Sequence, residues 1–258
     1  LIAGTEGDIS KARKKAERAR ELIKSPALGR MVSAQAAEAA GDSEEAIQQY
    51  TAMLDDERTL STGQRGLAQQ LLATGDVSGA IDHASRAYAN NKSARWALDV
   101  LFNAQVQDHR WHNARETLEL ADHRKHIDKD VFRRRRAVLQ VAEADQLADS
   151  GDIETARDLS VSAAQTVPQF APGVARAANL LTQEGNTKKA ASLIEKAWAI
   201  APHPALAVAY RDIYEGEPDR VRAKKMAQLG RMKRHRQCRQ NRLCSILQFP
   251  SRSRFCDA

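Results

Sequence analysis

The chain has 258 residues, of which 42% are hydrophobic, 5% aromatic and 28% charged, with a formal net charge of +7. No stretch holds the roughly 18 consecutive apolar residues of a membrane span, and no signal peptide is visible. The positive charge belongs to one end: residues 231–258 hold eight Lys or Arg and one Asp, whereas the first 230 hold 32 basic and 32 acidic residues, so the body gives no ground for expecting a nucleic-acid partner.

An alanine recurs along the chain at Ala12, Ala46, Ala80, Ala114, Ala156 and Ala190, at intervals of 34, 34, 34, 42 and 34 residues. Five residues before most of these stands a glycine (Gly7, Gly41, Gly75, Gly151 and Gly185), followed by Asp or Asn; before Ala114 the position is held by His109. Glycine supplies the left-handed conformation that stops one helix, and the Asp beside it caps the next. The alanine is small because two helices cross there. A 34-residue period with a helix break and a small crossing residue is the mark of the tetratricopeptide repeat. It predicts an all-α, tetratricopeptide-like (TPR) α-solenoid over residues 1–230, a right-handed superhelix of about six helix-turn-helix units. No segment alternates with period two, so no strands are expected.

In chain order, Pro26 lies near the start of a first helix, and Pro168 and Pro202 follow the ends of second helices, where proline cannot continue a helix but starts the next cleanly. Four residues after the alanine the chain reads Tyr50, Ala84, Leu118, Ser160 and Ile194, and three further on Met53, Ala87, Ala121, Ala163 and Ala197. The 42-residue step carries eight extra residues around His123 to Arg136. They predict either a longer connection or a first helix extended from about Asp128 to Asp149. Its run Arg133-Arg134-Arg135-Arg136 is open to two readings, a solvated face or a binding patch.

Catalytic signatures are missing: there is no dinucleotide-binding glycine motif, no phosphate-binding loop, no nucleophile elbow and no HExxH pair. An enzyme is therefore not expected, and neither is a cofactor or a metal. His109, His112, His123 and His126 form two pairs which, with a helix between them, stand about 20 Å apart at 1.5 Å of rise per residue, too far for one ion. A single His among His109, His112 and His203 remains open as an axial haem ligand. Trp96, Trp111 and Trp198 are read as packing between helices.

In this architecture the first helix of each unit lines the concave face. Equivalent positions there read Gln35, Gln69, Asn103, Asp145 and Asn179, a polar column at the repeat period. Side-chain amides of this kind offer a donor and an acceptor to an extended peptide. Arg65 and Arg176 lie near the same face and are expected to hold a carboxylate. These seven residues are the candidate partner-binding site.

After Leu229-Gly230 the composition changes. Residues 231–258 are rich in Arg, Gln, Cys and Ser, and contain Cys238, Cys244 and Cys256, all the cysteines of the chain. A basic tail for RNA or anionic lipid, a zinc site with His235, and a disordered stretch read in a shifted frame are the three readings; the cysteine spacing matches no usual zinc set.

The segment Trp198 to Tyr210 (WAIAPHPALAVAY), together with Arg65-Gly66-Leu67, Arg135-Arg136-Ala137-Val138-Leu139 and Pro218-Asp219-Arg220-Val221-Arg222, resembles the HemY family of tetratricopeptide proteins. The resemblance covers most of residues 1–230. It implies a bacterial inner-membrane protein with N-terminal membrane helices, absent here, and a repeat domain on the cytoplasmic side. It further implies a scaffold or regulator of haem-pathway enzymes, with those enzymes as protein partners. The alternatives are a porphyrin or haem carrier using the groove and a general TPR adaptor. No site residue is carried over from the family.

Overall fold

The computed structural model describes residues 26–246, with Lys14 and Arg18, and the side chains as far as Met232. Gly7 and Ala12, the first repeat marks, lie outside the described residues, as do residues 247–258. Among the described residues the chain is helical and contains no strand. The chain divides into two compact units between Lys129 and Asp130, within the stretch where the eight extra residues enter.

The first unit holds α1 (Pro26–Ala40), α2 (Ser43–Ala52) with a 3₁₀ turn (Met53–Asp55), α3 (Leu60–Thr74), α4 (Val77–Asn90), α5 (Arg95–Gln107) and α6 (Trp111–His123). The second holds α7 (Lys129–Asp149), α8 (Ile153–Thr166), α9 (Ala171–Gln183), α10 (Thr187–Ile200), α11 (Pro204–Asp212) and α12 (Asp219–Ile246).

The turns form as the glycines predict. Gly41, Gly75, Gly151 and Gly185 have φ of 74°, 90°, 95° and 78°. Asp42, Asp76 and Asp152 each accept a hydrogen bond from the backbone N–H three residues on, at 3.2, 2.9 and 3.1 Å, and so satisfy a free donor of the following helix. Where glycine is missing, the geometry persists: His109 takes φ 55°, and Lys125, after α6, takes φ 58°. The bonds Arg110 N–H to Gln105 O and His126 N–H to Ala121 O, both 2.8 Å, close these two turns as they would around glycine.

Ala46, Ala80, Ala114, Ala156 and Ala190 are all fully buried at the helix crossings. The column four residues later is buried as well (Tyr50, Ala84, Leu118, Ser160 and Ile194), which places both on the inner stripe of the second helices. In the first unit Ala34, Ala37, Tyr50, Met53 and Leu67 form one core and Ala68, Ala84, Leu98, Leu101 and Ala104 the next. In the second unit Ala144, Ala156 and Leu180 pack together, and Val174, Leu181, Ile194, Leu206, Tyr210 and Leu229 close the far end. There α11 packs on α9 and α12 on α10.

The extended-helix alternative for the insertion is the one adopted: α7 has 21 residues, against 15 for α3 and 13 each for α5 and α9. α12 runs from Asp219 through Gly230, where the composition changes, to Ile246. Leu229 is buried in the core beside it and anchors that helix on the repeat body.

Candidate functional site

In the first unit, α3 and α5 are first helices of successive hairpins and lie side by side. Arg65, Gln69 and Leu72 from α3 face Trp96, Asp99, Asn103 and Gln107 from α5 across a shallow cleft of about 410 Å³. Each set is spaced three, four or seven residues apart, so each forms one face of its helix. A second hollow of about 520 Å³ continues the cleft past Ser61, Asn91 and Arg95, and shares Arg65, Trp96 and Asp99 with it. The predicted Arg65, Gln69 and Asn103 are thus brought together, all three exposed. Gln35 is half-buried on α1 and does not line the cleft. Between α1 and α3 the bond seen is Gln70 Nε2 donating to Glu38 Oε1 at 2.8 Å. The same Glu38 and burial together push the Tyr50 phenol far above its usual range, burial being the larger cause.

The cleft is chemically mixed. Trp96 is half-buried and gives it an apolar floor, Arg65 a cation and Asp99 an anion, the latter partly shared with Arg95 at 3.8 Å. Gln69, Asn103 and Gln107 add amides, and each offers both a donor and an acceptor. Such a surface suits a main chain with small side chains. The Trp96 contribution was not part of the sequence reading, although Trp96 and Asn103 are seven residues apart and therefore share a helix face.

In the second unit the column behaves differently. Arg176 on α9 closes an ion pair with Asp145 on α7 at 2.5 Å, so its charge is met from within the fold. Asn179 is exposed one turn further along α9. The carboxylate-holding role expected of both arginines is therefore geometrically open at Arg65 and occupied at Arg176.

The second unit carries a larger cleft of about 670 Å³, between the N-terminal part of α7 and the α8–α9 turn. Arg133, Arg134 and Val138 form one wall and Val167, Pro168 and Phe170 the other. Arg133 pairs with Asp130 one turn earlier, and this hydrogen bond, with the charge of both arginines, holds the Asp130 carboxyl below the usual range.

The candidate histidines have structural duties. His109 shapes the α5–α6 turn and sets its ring edge-on to Trp111, centroids 5.1 Å apart. His112 lies 3.6 Å from Glu116. His203 caps α11, its Nδ1 accepting the Ala205 N–H at 3.1 Å. None of the three lines either cleft. Among the described residues no group of His, Cys, Asp or Glu could hold a metal ion, and no helix is long and apolar enough to cross a membrane.

No protein-family profile matches the chain, and no curated protein matches it. Solved structures do. The Naa15/Naa10 assembly bound to HypK-THB is similar with a TM-score of 0.58 and 16% identity, over 86% of this chain and 34% of that one. YrrB, a TPR protein with an unusual peptide-binding site, is similar with a TM-score of 0.50 and 18% identity, over 76% of this chain and 97% of that one. A tetratricopeptide repeat protein from Parabacteroides merdae aligns over 89% of this chain and 90% of its own at 17% identity, with a TM-score of 0.49. Together with the buried alanine column, the first two of these likenesses define the fold as a TPR-like α-solenoid.

Proposed function

We propose that this chain is a non-enzymatic scaffold that holds an extended peptide segment of a partner protein against its first helices. The observation that carries this is the cleft of Arg65, Gln69, Trp96, Asp99 and Asn103, where the repeat register brings amides, an opposed charge pair and an indole onto one open face. Backbone groups of a bound strand satisfy the amides, a carboxylate meets Arg65, and a small apolar side chain rests on Trp96. The remaining column, Gln35, Asp145, Arg176 and Asn179, belongs to the same reading as flanking polar positions.

The finer proposal is that the chain acts as a HemY-type repeat domain at the bacterial inner membrane, tethered by N-terminal helices, with enzymes of haem synthesis as its partners. The Trp198 to Tyr210 segment supports it: Pro202-His203-Pro204 is the joint that ends α10 and starts α11, with His203 as cap and Pro204 at the first helical position, where a proline loses no hydrogen bond.

The test is affinity capture from detergent-solubilised membranes with the chain and with its Gln69→Ala/Asn103→Ala variant. Retention of haem-pathway enzymes by the first and not by the second supports both levels. Equal retention by the two removes the cleft from the reading. Specific retention of unrelated proteins keeps the scaffold and removes the haem assignment.

A further inference from the structure

The eight residues that lengthen one repeat to 42 become helix without becoming core. In α9 the first residue, Ala171, is already buried, whereas in α7 the first buried residue is Ala137. About two turns, residues 129–136, therefore carry no fully buried side chain. On the face of those turns Val131 and Val138 are 41% and 50% exposed. They are seven residues apart, and Arg134 stands between them at the three- and four-residue spacings that put it on the same face. A charged face alone would be ordinary; a face of aliphatic, guanidinium, aliphatic is not needed for solubility.

Across from it, Pro168 and Phe170 complete the 670 Å³ cleft. Its charge is one-sided. Arg133 and Asp130 neutralise each other, while Arg134, among the described residues, closes no ion pair. The cleft thus offers a surplus guanidinium framed by Val138, Pro168 and Phe170. Arginine binds carboxylates with two parallel N–H donors, and its weak hydration suits a partly apolar rim.

We propose that this cleft is a second docking site, separate from the α3–α5 cleft, for a partner-protein segment whose carboxylates are flanked by aliphatic residues. Glu or Asp of the segment pairs with Arg134, and with Arg133 by exchange with Asp130. Leu or Val packs on Val138 and Phe170. The one-sided charge selects an acidic segment over a basic or neutral one.

The probe is a fluorescent synthetic peptide built from Glu, Leu and Gly, with a counterpart in which every Glu is Gln, titrated by anisotropy against the whole chain. The Glu peptide binds, added salt weakens it, and the Gln peptide binds at least about tenfold less tightly. Arg133→Glu/Arg134→Glu lowers affinity by about tenfold or more. Val138→Asp lowers it also, and Asp130→Asn raises it by about two- to fivefold by releasing Arg133. Val138 and Arg134 are exposed, so the variants keep their helical circular dichroism and melting temperature. A matched reversal on α12, Arg220→Glu/Lys224→Glu, leaves affinity within about twofold. Three results overturn the proposal: equal binding of the Gln peptide, an equal loss from the α12 reversal, or capture of phosphatidylglycerol vesicles that the α7 reversal abolishes with no peptide binding at all.

Discussion

The ring of Tyr50, on α2, occupies the space where a side chain at Gly66, on α3, would begin. Gly63, one turn earlier, is closed off too: a Cβ there would stand 2.9 Å from Met53 Cβ and 3.0 Å from Tyr50 O. Two glycines on one face of α3 thus let α2 approach closely enough to bury Tyr50 and Met53, the bulkiest members of their columns. Gly66→Ala should destabilise the first unit by about 1–3 kcal/mol, the usual cost of overpacking, even though alanine is the better helix former. Urea unfolding measures it, and the double change Gly66→Ala/Tyr50→Leu should recover part of the loss.

Two buried hydroxyls of the second unit predict opposite responses. Tyr210 is fully buried and its hydroxyl donates to Glu195 Oε1 at 2.7 Å. Ser160 is also fully buried, but its Oγ has no hydrogen-bond partner among the described residues. Tyr210→Phe should cost about 1 kcal/mol through the lost bond. Ser160→Ala should be neutral or stabilising by up to about 1 kcal/mol, because it removes a polar group that had been buried unpaired. Parallel denaturant curves of the two variants decide the matter by the sign of the midpoint shift.

Acid should act locally at the α2–α3 turn. Asp56 accepts from Arg58 N–H, Nε and a terminal guanidinium nitrogen at 3.0, 3.0 and 2.8 Å. Those bonds lower its pKa from 3.8 to about 2. A carboxylate depressed by folding stabilises the fold above its unfolded pKa, and the contribution is lost as pH falls toward the folded value. The turn should therefore hold at pH 4 and above and loosen between about 3.8 and about 2. Carboxyl NMR titration checks this; Arg58→Ala should return Asp56 to the ordinary aspartate range.

At the two turns without glycine, the chain tolerates a backbone that side chains disfavour. Lys125→Gly should stabilise by about 0.5–1 kcal/mol by relieving the left-handed strain. At position 109 glycine also forfeits the ring contact with Trp111, worth about 0.5–1.5 kcal/mol, so His109→Gly should be near neutral. A β-branched residue keeps the strain and loses the contact; melting temperatures at position 109 should rank Gly and His together, well above Val.

The repeat marks were readable because each is a local requirement at a fixed interval. A glycine must turn left and a crossing residue must be small, and the structure uses Gly151 and Ala156 as it uses Gly75 and Ala80. The α11–α12 pair was not readable in that way: one period after Gly185 and Ala190 the chain has Asp219 and Lys224. α12 passes through Gly230 because a single glycine inside a helix costs only about 1 kcal/mol and Leu229 is anchored in the core. For the candidate site, periodicity placed Arg65, Gln69 and Asn103 on one face. It could not show that Arg176 would meet Asp145, because that pairing depends on the packing of α7 against α9 and not on spacing along either helix.

His109 and Lys125 bracket a single helix, α6, with a strained left-handed residue at each end. In a linear array stability is the sum of each repeat and its neighbour contacts, so the uncompensated left-handed strain at Lys125 and the absent N-cap bond at Arg110 fall on one element instead of being averaged over the whole. Partial opening of the first unit is then cheapest at α6. Its amide hydrogens should exchange with solvent before those of α4, which ends its preceding turn in Gly75-Asp76 and has a capping carboxylate that α6 lacks. The missing glycine is, in this sense, a built-in order of unfolding: within the first unit α6 opens before the hairpin that Gly75 and Asp76 mark.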